Sequence, residues 1–116
     1  MDLQSNGIFI SWGRANAGRD KQGVDLFNQF LGWLGEQQRR GSITSFTPVV
    51  LQPHGANQNG VILIQGDAQQ IQKLAGDEVW NDYMIRGNVM MSGLTVVPAY
   101  LGTSLQNRVQ LVAKYS

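Results

Sequence analysis

His54 is the chain's only histidine and stands between Pro53 and Gly55, at the lip of a hairpin. An imidazole that titrates near neutrality makes it the best single acid–base candidate in the sequence. A lone loop histidine equally fits plain solvated surface. Trp80, Tyr83 and Arg86 follow one another three residues apart, so on a helix they drift across about one face. Trp12 and Tyr100, in apolar strand-like runs, are placed to meet them. Such a group would wall a flat aromatic pocket with one cation, suited to a planar anionic or phenolic ligand. Stacking would fall to Trp12 and Trp80, orientation to Arg86 and Tyr100, and proton transfer to His54 or Tyr83. Trp80 and Tyr83 serve equally well as helix anchors in a core.

Other chemistries find less support. The serines are scattered and no GxSxG elbow occurs. Paired carboxylates would have to come from Asp77, Glu78 and Asp82, which fall on one short segment that suits a solvated face. There is no cysteine, which excludes disulfides, thiolate catalysis and Cys-based metal sites. A haem would want an axial histidine, and only His54 is on offer; no cofactor or metal is expected.

The stretch "LIQGDAQQ" (63–70) puts one glycine between an apolar run and a helix-favouring run. A phosphate loop needs several glycines or a GxxxxGK[ST] run, so that successive amides converge. Here the next residue is an acid. Asp67 and Gln70 have the spacing of a helix N-cap and its third-residue partner, and a carboxylate there would repel phosphate. The stretch is therefore a helix start.

The 116 residues fit one compact domain, and 42% hydrophobic content is enough for a core. Charged residues make up only 15%, against about 25% in a typical soluble domain, which suits a protein that hides surface in an assembly. The net charge of +1 gives no footprint for nucleic acid. Arg14, Arg19, Lys21, Arg39 and Arg40 read as solvated decoration. The start lacks a basic, apolar leader pattern, and no run approaches a membrane span, so a cytoplasmic protein is expected.

These residues must be held by elements that the pattern supplies in a clear order. A β-rich run (7–15) is followed by a helix (20–40) with Val24, Phe27, Leu31 and Leu34 on one stripe and Leu26, Phe30 and Trp33 on an adjoining one. A strand (43–55) is broken by Pro48, which argues for a sheet edge. A strand (60–66), a helix from Asp67 that breaks near Gly76 and resumes over 77–87, and a strand (94–102) come next. The closing helix (103–115) carries Leu105, Val109 and Val112 on one face and capping-box spacing at Thr103 and Gln106. This β-α-β-β-α-β order is the ferredoxin-like pattern, an α+β sandwich with a four-stranded antiparallel sheet, core 7–102, and a C-terminal helix.

The strands do not alternate as a one-sided sheet should. Val61 and Leu63 point one way, Ile62 and Ile64 the other; Ile8, Ile10 and Trp12 stand against Phe9. Both faces want cover, and the crossover helices can cover only one. In length, element order and two-sided apolar strands, the chain resembles the dimeric α+β barrel superfamily. Residues 66–102 carry most of the likeness, with Pro98, Ala99 and Tyr100 at a P-x-Y-like turn. The resemblance implies a homodimer through the sheet face and a small apolar or aromatic ligand between sheet and helices. It also implies cofactor-free monooxygenase- or isomerase-like chemistry. The alternative is a non-catalytic oligomerisation or regulatory ligand-binding module. RNA binding through the same fold lacks support, because "GVILIQG" offers no aromatic residue to stack on bases.

Overall fold

The computed structural model describes residues 2–115. Four strands form one antiparallel sheet: β1 (Gly7–Trp12), β2 (Ser45–Val50), β3 (Gly60–Gln65) and β4 (Thr95–Ala99), in spatial order β2-β3-β1-β4. Four helices accompany them: α1 (Asp20–Arg39), α2 (Ala68–Ala75), α3 (Glu78–Met90) and α4 (Gly102–Ala113). The architecture is α+β and compatible with a ferredoxin-like fold. Pro48 and Pro98 lie on β2 and β4, the two edge strands, where a missing N–H does not break a ladder and discourages strand addition.

Register assigns each side chain to a face. Directly opposed residues share a face, so Phe46, Ile64 and Ile8 form one row and Pro48, Ile62, Ile10 and Val96 the next. This face meets the helices. Ile8, Ile10, Ile62 and Ile64 are at most 5% exposed and join Phe30, Leu34, Ile43, Ile71, Leu74 and Trp80 in the core. The opposite face carries the row Thr47, Leu63, Phe9 and Val97, and beside it Val49, Val61, Ser11 and Thr95. It is apolar along a central band and polar at the corners. Among the described residues, no helix crosses it.

Local chemistry explains the helices. On α1 the residues turned fully inward are Gly23, Leu26, Phe30 and Leu34. Leu26 and Phe30 come from the second of the two stripes legible in the sequence and Leu34 from the first, while Trp33 of the second is half-buried. The rest of the first stripe sits at the flank: Phe27 and Leu31 are half-buried, and Val24 is 58% exposed. At the other end of α1 the exposed Glu36 and Arg39 side chains pair, and that hydrogen bond holds the Glu36 carboxyl below its ordinary range. The second crossover is split, as Gly76 suggested. Asp77 restarts it by accepting from the amides of Val79 and Trp80. Asp67 caps α2 as expected: its Oδ1 accepts from the Gln70 amide at 2.8 Å, and the Asp67 amide donates back to Gln70 Oε1 at 2.7 Å. Loss of such a cap costs about 0.5–2 kcal/mol, so Asp67→Ala should lower stability by that amount in urea denaturation. Inorganic phosphate should not raise the melting temperature of the natural chain.

Several boundaries differ from the sequence pattern: β2 keeps only Ser45–Val50 of the expected 43–55, β4 only Thr95–Ala99 of 94–102, and α3 runs on to Met90. β1 ends at Trp12, and the following residues reach a single bridge, Ala15 with Met91. The capping-box spacing of Thr103 and Gln106 goes unused, because α4 already starts at Gly102, with Leu101 as a cap that has no side-chain hydrogen bond.

α4 stands off the body. It is tied down near its start, by buried Ser104, by the Asn107 side chain donating to the Asp2 carbonyl, and by Arg108 lying 4.0 Å over the Tyr100 ring. Leu105, Val109 and Val112 are 47%, 58% and 67% exposed. The radius of gyration is 15.5 Å, against about 13 Å for a compact chain of this length. The shortest principal extent is 20 Å, enough for one sheet and one helix layer.

Candidate functional site

The space between the sheet and the helix pair α1–α3 holds an apolar cavity of about 60 Å³. Its floor is Ile10, Trp12 and Ile62 from the sheet and Leu94 just before β4. α1 contributes Gly23, Leu26, Phe27 and Phe30; α3 contributes Tyr83, Met84 and Gly87, and Met91 closes its end. The wall exists because strand residues 10, 12 and 62 share the helix-facing side, while both helices present a glycine or a flexible thioether there. Trp12 is set by two neighbours. Its ring packs on Phe27, with centroids 5.4 Å apart, and lies across Gly60. A Cβ on Gly60 would come within 2.5 Å of the Trp12 ring, so only glycine admits this pose.

A cleft of about 240 Å³, as open to solvent as the cavity, adjoins it. Its lining includes Asp20, Val24, Val50 and Asn59, and it shares Trp12, Gly23, Phe27 and Met91 with the cavity. The neighbouring chain ends are tied by a small polar knot. Asn57 Oδ1 accepts from the Arg14 amide at 2.8 Å, its Nδ2 donates to Ser92 Oγ at 3.1 Å, and that hydroxyl donates to the Arg14 carbonyl at 2.8 Å.

Of the residues singled out in the sequence, the cavity brings together Trp12 and Tyr83. Tyr83 contributes its ring to the wall, while its hydroxyl donates to the Gln29 carbonyl at 3.4 Å. Trp80 lies behind, 4% exposed, packed with Phe30 and Trp33 at centroid distances of 5.8 and 6.4 Å. Arg86 is turned from the wall: it pairs with Asp82 at 3.0 Å and stacks 4.7 Å over the Tyr83 ring. Tyr100 sits beyond the opposite end of β4, under Arg108. His54 is exposed in the β2–β3 loop, where one ring nitrogen lies 3.0 Å from the Gln58 carbonyl and the other accepts from the Ala56 amide. The expected six-residue pocket is thus dispersed over three places.

The residues that build the cavity instead are Gly23, Phe27, Phe30, Met84, Gly87 and Met91. Their sequence signal was faint: glycines inside amphipathic helices, each costing about 1 kcal/mol relative to alanine, at positions that a core-facing stripe would fill. Among the described residues, no group of three or more His, Cys, Asp or Glu is placed to hold a metal ion. Among them, too, no helix is long and apolar enough to cross a membrane.

No family model matches this chain, and no curated protein is similar to it at a significant level. Site and function therefore rest on the geometry.

Proposed function

We propose that this chain is one subunit of a ferredoxin-like homodimer of the dimeric α+β barrel type, and that each subunit holds a small apolar or aromatic molecule between its sheet and the α1–α3 pair. The observation that carries this reading is a single sheet, apolar on both faces, with helices over one face only. The uncovered band of Phe9, Val49, Val61, Leu63 and Val97 supports pairing with a second copy. The covered face supports the ligand, through an apolar wall with aromatic and thioether side chains.

Within that reading, ligand binding without turnover is favoured over monooxygenase or isomerase chemistry. One titratable side chain, Tyr83, lines the cavity, and its hydroxyl is engaged by the Gln29 carbonyl. His54 is in an exposed loop outside the lining. General acid–base work needs a group within hydrogen-bond reach of the reacting atom.

A thermal-melt series with indole, phenol, naphthalene and indole-3-carboxylate tests this. A ligand at 100 times its Kd adds about 2.7 kcal/mol, which for a chain of this size raises Tm by roughly 5–15 °C. The neutral aromatics should give such a rise, without consumption of the compound, and the carboxylate should give less. No shift from any of them would contradict ligand binding; turnover of a bound compound would restore the catalytic reading.

A further inference from the structure

We propose that the open depression between the starts of α2 and α4 binds a small zwitterion of the α-amino acid class, with its carboxylate on the first turn of α4 and its ammonium on Asp67 and Asp2. The inference stands apart from the space under α1–α3 and from the dimer.

The topology brings the two helix starts together. Gly7 opposes Gln65 on one side and Ala99 on the other, so β3 and β4 end beside the start of β1. Just beyond those strand ends, α2 begins at Ala68 and α4 at Gly102. Asn6 leads into β1 and fixes the second helix start. Its side chain donates to the Leu101 carbonyl at 2.9 Å and accepts from the Leu101 amide at 2.8 Å. The depression so framed has about 350 Å³, within the range of small-molecule sites.

α4 offers this space unspent donors. Its first helical bond runs from the Leu105 amide to the Leu101 carbonyl at 3.4 Å, and Leu101 has no side-chain oxygen to cap the amides before it. The amides of Gly102, Thr103 and Ser104 have no acceptor among the described residues. Orphan amides at the positive end of a helix attract a carboxylate. A separate observation points to the same ligand. Ser104 is 5% exposed and lines the depression, yet its hydroxyl has no hydrogen-bond partner among the described residues. Buried polar groups are nearly always bonded, so this donor is matched by something that the fold itself does not supply.

The rest of the lining rejects a bare anion. It includes the carboxylates of Asp2 and Asp67, and among the described residues no cationic side chain. Each carboxylate spends one oxygen on a local amide, Asp2 on Gln4 at 2.9 Å and Asp67 on Gln70 at 2.8 Å. The second oxygen of each has no partner among the described residues. Donors on one wall and carboxylates on another match a ligand that carries both charges. Ala68 and Leu101 leave room between them for a small aliphatic group.

The test is a set of two-dimensional amide NMR titrations of the full chain with L-alanine, acetate, ethylamine and inorganic phosphate. L-Alanine at millimolar concentration should shift the Gly102, Thr103 and Ser104 amides saturably. The three half-ligands should bind at least about tenfold more weakly, since each engages one wall alone. Asp67→Asn keeps a good helix cap but loses the charge, so it should weaken L-alanine about tenfold and tighten acetate. Ser104→Ala should weaken both about threefold without lowering the melting temperature, because the hydroxyl has no bond in the fold to lose. Acetate bound as tightly as L-alanine, or an unchanged L-alanine affinity in Asp67→Asn, would overturn the zwitterion. A lower melting temperature with unchanged affinity in Ser104→Ala would assign that hydroxyl to the fold and overturn its part in the site. No shift of the three amides with any probe would overturn the site altogether.

Discussion

Val61→Glu combined with Leu63→Glu should give a folded protein of single-chain mass, whereas Ile62→Glu combined with Ile64→Glu should give no folded protein at all. The four positions are neighbours on β3, and pleating sends alternate ones to opposite faces. Ile62 and Ile64 are 1% and 0% exposed beneath the helices. A carboxylate there has no partner and no water, and each costs several kcal/mol beyond the lost apolar burial. Two such changes exceed the whole stability of an ordinary domain, about 5–15 kcal/mol. Val61 and Leu63 are half-buried by neighbours on the uncovered face, and their glutamates can reach water. In a sheet-to-sheet dimer the same four carboxylates would be driven together across the seam. Burying about 400 Å² of that face per subunit is worth roughly 10 kcal/mol before association costs, and charged residues at its centre remove that gain. Circular dichroism and light scattering on the two double variants check both halves. A Val61→Glu/Leu63→Glu protein that kept the mass of the natural chain would place any interface elsewhere.

Trp80→Ala should cost about 3–5 kcal/mol, the usual loss for truncating a buried aromatic residue. The ring is 4% exposed and sits against Phe30 and Trp33, which themselves pack at a tilt on Tyr83 with centroids 5.1 and 5.7 Å away. This cluster joins α1 to α3, so the damage spreads beyond one side chain. Urea denaturation should show the midpoint falling with an unchanged slope. The remaining folded fraction should bind indole within about twofold of the natural chain, since Trp80 lies behind the cavity wall. Lost binding at unchanged stability would instead make Trp80 a stacking partner of the ligand.

That contrast marks where the sequence was informative. Asp67 and Gln70 could be recognised because a capping box is local, written in four consecutive residues. The order of elements, the edge position announced by Pro48 and the break at Gly76 follow from short-range pattern in the same way. Strand alternation showed two apolar faces. It did not say which face the helices cover, because that depends on how Ile62 and Ile64 meet Leu34 and Phe30 across the chain. The site was harder still. Trp12 and Tyr83 were legible as aromatic residues near one end of the fold. Arg86 was placed in a pocket because its spacing set it on about one helix face with Trp80 and Tyr83, yet Asp82, four residues earlier, already supplies a helical ion pair. Tyr100 was assigned to the fourth strand, but that strand ends at Ala99 and Tyr100 turns to Arg108. Gly23 and Met91 acquire meaning only from each other, and nothing local in either stretch links them.

The charge-poor surface, the uncovered apolar band and the free-standing α4 converge on one claim, that a second copy covers this sheet. Light scattering of the natural chain at micromolar concentration tests it most directly. A homodimer gives twice the 12.8 kDa chain mass, and that is the expected result. A well-folded species of single-chain mass at high concentration, with α4 packed across Phe9, Val61 and Leu63, would contradict it.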